Sequence, residues 1–134
     1  MQVRGPCTVR GMAYDIHTDV KWGPLELVDA GALVDACKEP WWNQSLCAVN
    51  DSVARIGVFH GEFHWHKHDR EDELFFVLEG TLLLDFEKDG DRRTVELAPR
   101  QGMVVPKGVV HRTRALQRTV VLMVEPATVV PTGD

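Results

Sequence analysis

The chain has 134 residues, 44% of them hydrophobic, and a formal net charge of −5, which predicts one domain with a real core and leaves no room for two. The acidic balance argues against a nucleic-acid partner, because such partners are usually met by a basic face. No apolar run approaches the length of a membrane span, and the first 15 residues lack the apolar stretch of a signal peptide.

The N-terminal third predicts an extension followed by a helix. Residues 1–23 show little periodicity and hold several glycines and prolines, so this segment is either disordered or laid across a partner subunit. Residues 24–39 predict a helix, because five apolar residues recur at helical spacing and Pro40 ends the pattern: Leu25, Val28, Ala32, Leu33 and Ala36. We therefore expect residues 1–45 to form an extension and a helix that pack on the main domain.

Two features of this region have competing interpretations. Trp41 and Trp42 follow the predicted helix directly and are expected to form a hydrophobic plug, with a ligand platform as the alternative. The three cysteines are odd in number and contain no CxxC pair, which favours a reduced, cytoplasmic protein: Cys7, Cys37 and Cys47. Any one of them as a reactive thiol is the less favoured alternative.

From residue 46 onward the pattern changes to short strands separated by turn signals. Lys88-Asp89-Gly90 is the strongest of these signals and predicts a tight hairpin. The predicted strands cover residues 46–50, 53–59, 72–78, 81–86, 92–97, 103–106, 111–115 and 117–126. Many short strands at this spacing predict an all-β barrel or sandwich over residues 46–134.

The stretch 61–80 concentrates potential metal ligands. In an extended strand alternate side chains share one face, so His64, His66 and His68 are expected to point the same way. Glu73 follows in the next strand, and His111 begins a later one. Neutral imidazole and carboxylate are good ligands for divalent first-row metals, whereas the alternative is an exposed strand end whose histidines happen to alternate.

These residues carry a family resemblance. The run His66-Lys67-His68, then Glu73, then Gly80, resembles the first motif of the cupin superfamily, and residues 106–111, PKGVVH, resemble the second. The resemblance implies an antiparallel jelly-roll β-barrel whose metal is held by His66, His68, Glu73 and His111. Three positions depart from the motifs and affect loop shape rather than ligands: Gly61, Arg100 and Ala115.

Other polar residues near the motifs need an assignment. Glu71 and Asp72 compete with Glu73 as the carboxylate ligand, but strand parity favours Glu73 and leaves the other two as solvated loop residues. His64 shares the inward parity, so it is expected to lie beside the metal, either as a catalytic proton shuttle or as the donor of a hydrogen bond to a metal ligand. The alternative is a partly exposed strand residue. Strand parity also directs Arg55 and Met123 towards the pocket.

Three functions remain open, because a metal-binding barrel supports several chemistries. The favoured one is a metal-dependent enzyme, an Fe(II) dioxygenase-type catalyst that acts on a small organic substrate. The second is a redox-neutral sugar isomerase, epimerase or lyase, and the third is a non-catalytic domain that binds a metal or a small molecule. One divalent transition metal is expected in each case, with iron favoured over manganese, zinc, nickel and copper.

The sequence also predicts a homodimer. Open sheet edges must be covered or paired, and the apolar strands 72–78 and 119–126 offer more hydrophobic surface than one small barrel needs to bury. Cupins of this size are commonly dimers, so the resemblance points the same way. The alternative is a monomer in which residues 1–39 fold back over their own barrel.

Overall fold

The computed structural model describes residues 6–9 and 12–134, and within them the chain is mostly β with one short helix. No helix in these ranges is long and apolar enough to cross a membrane. The elements are β1 (Pro6–Val9), β2 (Met12–His17), α1 (Ala30–Ala36), β3 (Trp41–Val49), β4 (Ser52–Glu62), β5 (Glu73–Glu79), β6 (Leu82–Lys88), β7 (Asp91–Leu97), β8 (Gly102–Val105) and β9 (His111–Pro126).

Strand β9 organises the sheet. Its 16 residues pair antiparallel with β4 along most of their length, with β5 near the C-terminal end and with β6 near the N-terminal end. The main path runs β1-β2-β3-β4-β9-β5-β8, and β6 joins β7 to β9. These pairings confirm a mostly β fold with one short helix, but they do not close the sheet into a barrel.

Odd-numbered residues of β9 face the interior at both of its ends. His111, Thr113 and Ala115 are buried at the start, and Val121, Met123 and Glu125 are buried near the end. The strand therefore carries one inward face past the partners on which the candidate site depends.

The N-terminal region differs from the sequence prediction. The predicted helix over residues 24–39 is wrong in extent, since α1 has seven residues and begins after Asp29, whose carboxylate accepts a hydrogen bond from Ala32 N at 3.1 Å. Leu25 has a left-handed backbone with φ of 64° and is fully exposed. Leu25 and Leu27 thus have no surface to pack on among the described residues, which removes the reason for the extra turns.

The tryptophans and the early segment belong to the sheet. Trp41 and Trp42 open strand β3, and β2 runs parallel to β3 of the same chain. The expected domain boundary between residues 45 and 46 falls inside β3. Of the N-terminal extension, residues 1–5, 10 and 11 lie outside the described residues.

Two apolar clusters fill the fold. The larger lies beside the candidate site and includes Trp41, which stacks on Phe59 with ring centroids 4.2 Å apart. The smaller lies between α1 and the sheet and is built around Val34, Ile56 and Val120. A fully buried aliphatic side chain contributes about 1.5–3 kcal/mol by removal from water, so the fold does not need an ion to have a core.

Two turns near the motifs use backbone conformations with positive φ. Gly80 has φ of +80° between β5 and β6, and an added Cβ would lie 2.7 Å from Thr119 Oγ1. A larger residue there would push β5 and β6 away from β9. Arg100, which stands where the cupin motif usually has a turn glycine, has φ of 69°, so the backbone keeps the shape that glycine favours.

Candidate metal centre

Four potential ligands from three parts of the chain meet inside the fold. His66 and His68 lie on the extended segment after β4, Glu73 is the first residue of β5, and His111 is the first residue of β9. One ligand atom from each lies within 4.8 Å of all the others. Glu73 Oε1 is 3.5 Å from Nε2 of both His68 and His111. The four side chains can therefore share one ion.

Backbone hydrogen bonds fix the two histidine segments to each other. His66 N donates to the carbonyl of His111 at 3.0 Å, and His111 N donates to the carbonyl of His66 at 2.8 Å. The turn before β9 adds a third contact, because Gly108 N donates to the carbonyl of His68 at 2.7 Å. The segment between β4 and β5, residues 63–72, is thus an extended loop with a single β-bridge, between His66 and His111, rather than the regular strand expected from the sequence. We refer to this segment as the histidine loop.

Two of the imidazoles are held in the form that binds a metal. His66 Nδ1 lies 2.9 Å from the carbonyl of His64, and His111 Nδ1 lies 2.9 Å from the carbonyl of Val109. A carbonyl only accepts hydrogen bonds, so each Nδ1 carries the proton. The lone pair is consequently on Nε2 of each ring, as in metal-ligating histidines whose other nitrogen donates to a carbonyl.

The donor atoms at the centre lack other partners. His111 Nε2 and Glu73 Oε1 are buried and have no hydrogen-bond partner among the described residues, and the same is true of His68 Nδ1. Leaving a buried polar atom unsatisfied costs about 1–3 kcal/mol. An ion shared by the four side chains would satisfy His111 Nε2 and Glu73 Oε1, so the residues fit a divalent transition metal.

The protonation states suit the same purpose. Burial, followed by repulsion from His111, lowers the pKa of His66 to about 3, so its ring is neutral at pH 7. Burial alone raises the pKa of Glu73, but the imidazoles of His111 and His68 and the carboxyl of Glu125 lie against it and hold the pKa well below its usual range. Neutral imidazole and ionised carboxylate are the ligating forms of these groups.

A second buried carboxyl group adjoins the ligand set. Burial and the charge of Glu73 raise the pKa of Glu125 well above its usual range, against the lowering effect of Arg55. Arg55 donates from Nη1 to Glu125 Oε1 at 2.6 Å. Sequence reasoning missed Glu125, whose only sequence signal was its odd-numbered position on a strand that shares its inward face with Met123.

His64 stands beside the centre with both ring nitrogens engaged. Its Nε2 lies 2.6 Å from the carbonyl of Thr132, and its Nδ1 lies 3.2 Å from the hydroxyl of Tyr14. The ring is buried, and the backbone carbonyl of His64 holds His66 in position. The side chain therefore links β2 to the C-terminal segment, residues 127–134. Its predicted catalytic role stays a prediction.

A small pocket opens onto the ligands from the larger apolar cluster. Its interior holds about 30 Å³, room for about two water-sized groups. Arg55 and Met123 line it, as strand parity predicted, and Trp41 forms part of the wall as well as part of the core. The remaining lining residues are Asn43, Phe59, Phe63, His66, Glu73, Phe75, Thr113 and Pro131.

The C-terminal segment, residues 127–134, lies across the histidine loop. Pro131 enters the pocket wall, and a Cβ on Gly133 would lie 2.6 Å from His66 Cβ. Asp134 N donates to the carbonyl of Lys67 at 3.0 Å, and Asp134 Oδ2 accepts from Asp69 N at 2.6 Å. Sequence reasoning did not anticipate this packing, because the segment has neither periodicity nor a motif.

One of the two competing carboxylates was placed wrongly. Glu71 was expected to be solvated, but it is buried and accepts a hydrogen bond from Thr128 Oγ1 at 3.4 Å. The C-terminal segment covers it, which explains the error. Asp72 is exposed as expected and accepts a hydrogen bond from Lys107 N at 2.8 Å. Neither belongs to the group of four around Glu73.

The chain is similar in sequence and fold to known proteins. The chain is 48% identical over 94 residues to the uncharacterized protein YdbB of Bacillus subtilis (strain 168), covering 70% of this chain and 80% of that protein. A cupin-2 domain containing protein from Shewanella frigidimarina NCIMB 400 superposes with a TM-score of 0.67 at 28% identity, covering 75% of this chain and 94% of that one.

A more distant likeness concerns the fold alone. Hydroquinone 1,2-dioxygenase from Sphingomonas sp. TTNP3 superposes with a TM-score of 0.68 at 17% identity, covering 78% of this chain and 33% of that one.

The family model described as "Cupin domain" matches residues 57–125, which span strands β4 to β9 and all four candidate ligands. Because that match covers just over half of the chain, the chain belongs to the cupin family.

Proposed function

We propose that this protein is a metal-dependent enzyme that holds one divalent transition metal through His66, His68, Glu73 and His111 and acts on a small organic substrate. The observation that carries the proposal is the convergence of four ligand atoms within 4.8 Å, two of them buried and without another partner in the described part of the chain. Fe(II) with dioxygenase-type chemistry is the favoured form of this activity.

The ligand number supports catalysis over a purely structural ion. Three imidazoles and one carboxylate would leave positions free on a six-coordinate metal, and the pocket adjoins two of the four ligands, His66 and Glu73. The large apolar cluster supports the same reading, because the core does not need the ion. A bound metal would supply Lewis acidity, and iron would add redox chemistry with dioxygen.

The chain's own residues supply orientation and shielding. The carbonyls of His64 and Val109 hold two imidazole rings with Nε2 towards the ion. Aromatic side chains of the pocket wall keep bulk water from the reacting groups, which strengthens electrostatic interactions inside. His64 is proposed as the group that moves a proton only where its bond to Thr132 opens, because in the closed arrangement both ring nitrogens are engaged.

Metal content and oxygen uptake test the proposal. Protein purified from its native host should contain about one equivalent of metal per chain, and His111→Ala should contain almost none. His60→Ala is the matched control, because His60 is exposed on β4. Iron with oxygen consumption in the presence of candidate substrates supports the dioxygenase. Manganese or zinc without oxygen chemistry supports the isomerase or lyase, or the binding domain, and absence of metal from a folded parent contradicts the metal centre.

We also propose a cytoplasmic homodimer in which each subunit has the jelly-roll order of strands. Leu25, Leu27 and Val28 are exposed together in one short loop, and a contiguous apolar patch, unlike a single exposed side chain, favours a contact surface. Light scattering at micromolar concentration should give twice the chain mass of 15.1 kDa, and Leu27→Asp should shift the protein towards that single-chain mass. A parent that stays at 15.1 kDa on concentration contradicts the dimer.

A further inference from the structure

Arg55 is a buried cation in the wall of the pocket beside the metal centre. It lies in the middle of β4, is 2% exposed, and lines the same pocket as His66 and Glu73. Arginine is almost never fully buried unless its charge is paired. We therefore consider first which groups pair the charge of Arg55, and then why an arginine lies beside the candidate ligands.

The protein supplies hydrogen-bond acceptors for only part of the Arg55 guanidinium. Nη1 donates to Glu125 Oε1 at 2.6 Å, and Nη2 donates to Asn43 Oδ1. Nε is buried and has no hydrogen-bond partner among the described residues. The two contacts hold the planar group in one orientation, and of its three nitrogens only Nε has no acceptor among the described residues.

Stability does not account for the arrangement. A buried ion pair gains little over a well-packed apolar pair of the same volume, because both charges lose their hydration. The surroundings of Arg55 would allow the apolar choice, since Trp41, Phe59, Phe75 and Met123 line the same pocket. An arginine that is buried at a cost and incompletely bonded at a pocket is better explained by a ligand.

The charges indicate which kind of ligand. With a divalent ion bound, the positive charges at the pocket wall are those of the metal and Arg55, and the negative charges beside them are those of Glu73 and, at most, Glu125. These four groups then carry one or two positive charges in excess, whichever state Glu125 adopts; Glu71 and Asp134 lie beside His68 and do not line the pocket. An anion that enters the pocket would reduce this excess, whereas a neutral ligand would not.

We propose that Arg55 recognises the carboxylate of the substrate, so that the substrate class is small organic acids. This inference rests on the proposed function, since it needs the metal in place. The carboxylate accepts a hydrogen bond from Nε–H, and the guanidinium, fixed by Asn43 and Glu125, presents that donor without further reorganisation. Room for about two water-sized groups limits the part that enters to a group of carboxylate size.

Binding of acetate and acetamide to the cobalt-loaded protein tests this role. The two probes have the same shape and differ in charge, and the visible spectrum of Co(II) reports on ligand binding at the metal. The parent should bind acetate more tightly than acetamide. Arg55→Gln should reduce the ratio of the acetamide dissociation constant to the acetate dissociation constant by about 10-fold or more. Arg55→Lys should restore part of the preference, and Arg92→Gln, at an exposed position, should leave it unchanged.

The outcomes separate this inference from the proposed function. A ratio in Arg55→Gln equal to that of the parent, at equal cobalt content, overturns the role of Arg55 and leaves the metal centre standing. A folded parent that takes up no cobalt contradicts the metal centre and this inference together. Loss of cobalt from Arg55→Gln with an unchanged ratio in Arg55→Lys assigns Arg55 to support of Glu73 through Glu125 and also overturns substrate recognition.

A measurement on the parent alone covers the case in which Arg55→Gln does not fold. A crystal structure of the cobalt-loaded parent grown with acetate should show an acetate oxygen within about 3 Å of Arg55 Nε. Acetate bound at the metal and directed away from Arg55, or a pocket without acetate at saturating concentration, overturns the proposal.

Discussion

Replacement of Asp85 by asparagine should show how the start of β9, and with it His111, is held in place. Asp85 lies on β6 and is buried. Its Oδ2 accepts from Nε of Arg112 at 2.8 Å and from Nε of Arg114 at 2.6 Å, and its Oδ1 accepts from Thr94 Oγ1 at 2.6 Å. One carboxylate thus joins β7 and β9 to β6, next to the Phe86–His111 pair.

The expected cost follows from the pKa of this carboxyl. Burial alone raises it, but the hydrogen bonds from Arg114, Thr94 and Arg112 outweigh burial and lower the pKa to about 2. Against an unfolded value of about 3.9, this difference corresponds to about 2.6 kcal/mol at pH 7, which is an upper value because solvent reaches Arg112 and Arg114 and screens the ion pairs. Because the folded pKa is depressed, the stabilisation is fully present above pH 3.9 and falls with pH, to about 1.3 kcal/mol at pH 3 and about 0.4 kcal/mol at pH 2.

Urea unfolding of the parent and of Asp85→Asn at pH 7 and pH 3 measures this effect. The amide keeps the shape of the side chain and removes the charge, so the difference in free energy of unfolding should be roughly halved at pH 3. Glu87→Gln on the same strand is the control, because Glu87 and Arg92 are exposed and 3.4 Å apart, and such pairs contribute about 0–1 kcal/mol. A difference that is the same at both pH values would refute the electrostatic reasoning.

Three further changes test the site and the core separately. His66→Ala should abolish metal binding measured by elemental analysis and leave the circular dichroism spectrum of a folded protein, whereas unfolding on loss of the ion would make the metal structural. Gly133→Ala should push residues 131–134 off the histidine loop, because the new Cβ would lie 2.6 Å from His66 Cβ. Hydrogen exchange at the Asp134 amide should then accelerate, and unchanged exchange would contradict the packing. Leu84→Ala, at a fully buried position, should cost about 2–5 kcal/mol in urea unfolding while metal content stays at the parent value; a cost below 1 kcal/mol would show a looser core.

The elements that sequence predicted well are those whose local signals agree with their surroundings. The alternation in β5 and β9 matches the buried positions, because one face of each strand meets the core. The Lys88-Asp89-Gly90 signal gives the expected hairpin between β6 and β7. The predicted helix failed because helical spacing needs a surface to pack on, and Leu25 and Leu27 have none among the described residues.

In the candidate site, too, the sequence predicted the residues that carry a local signal and missed those that distant parts of the chain bring together. The four ligands stand in the two motifs that carry the family resemblance, so the sequence could group them. Glu125, Asn43 and Thr132 reach the site through pairings between distant parts of the chain, such as Ala54 with Val124 and Asn43 with Gly57. Such contacts depend on the order of strands in the sheet, which local patterns do not contain. His64 was correctly placed near the centre, but its bonds to Tyr14 and Thr132 could not be foreseen for the same reason.

The packing of residues 127–134 across the histidine loop bears on how the protein should be handled. Any peptide joined after Asp134 starts beside Lys67 and Asp69, at the rim of the metal centre. A polyhistidine purification tag at that end would bring extra imidazoles to the ligands themselves, and measured metal stoichiometries would then report on the tag as well as on the protein. A tag that is cleaved off before the metal analysis avoids that competition.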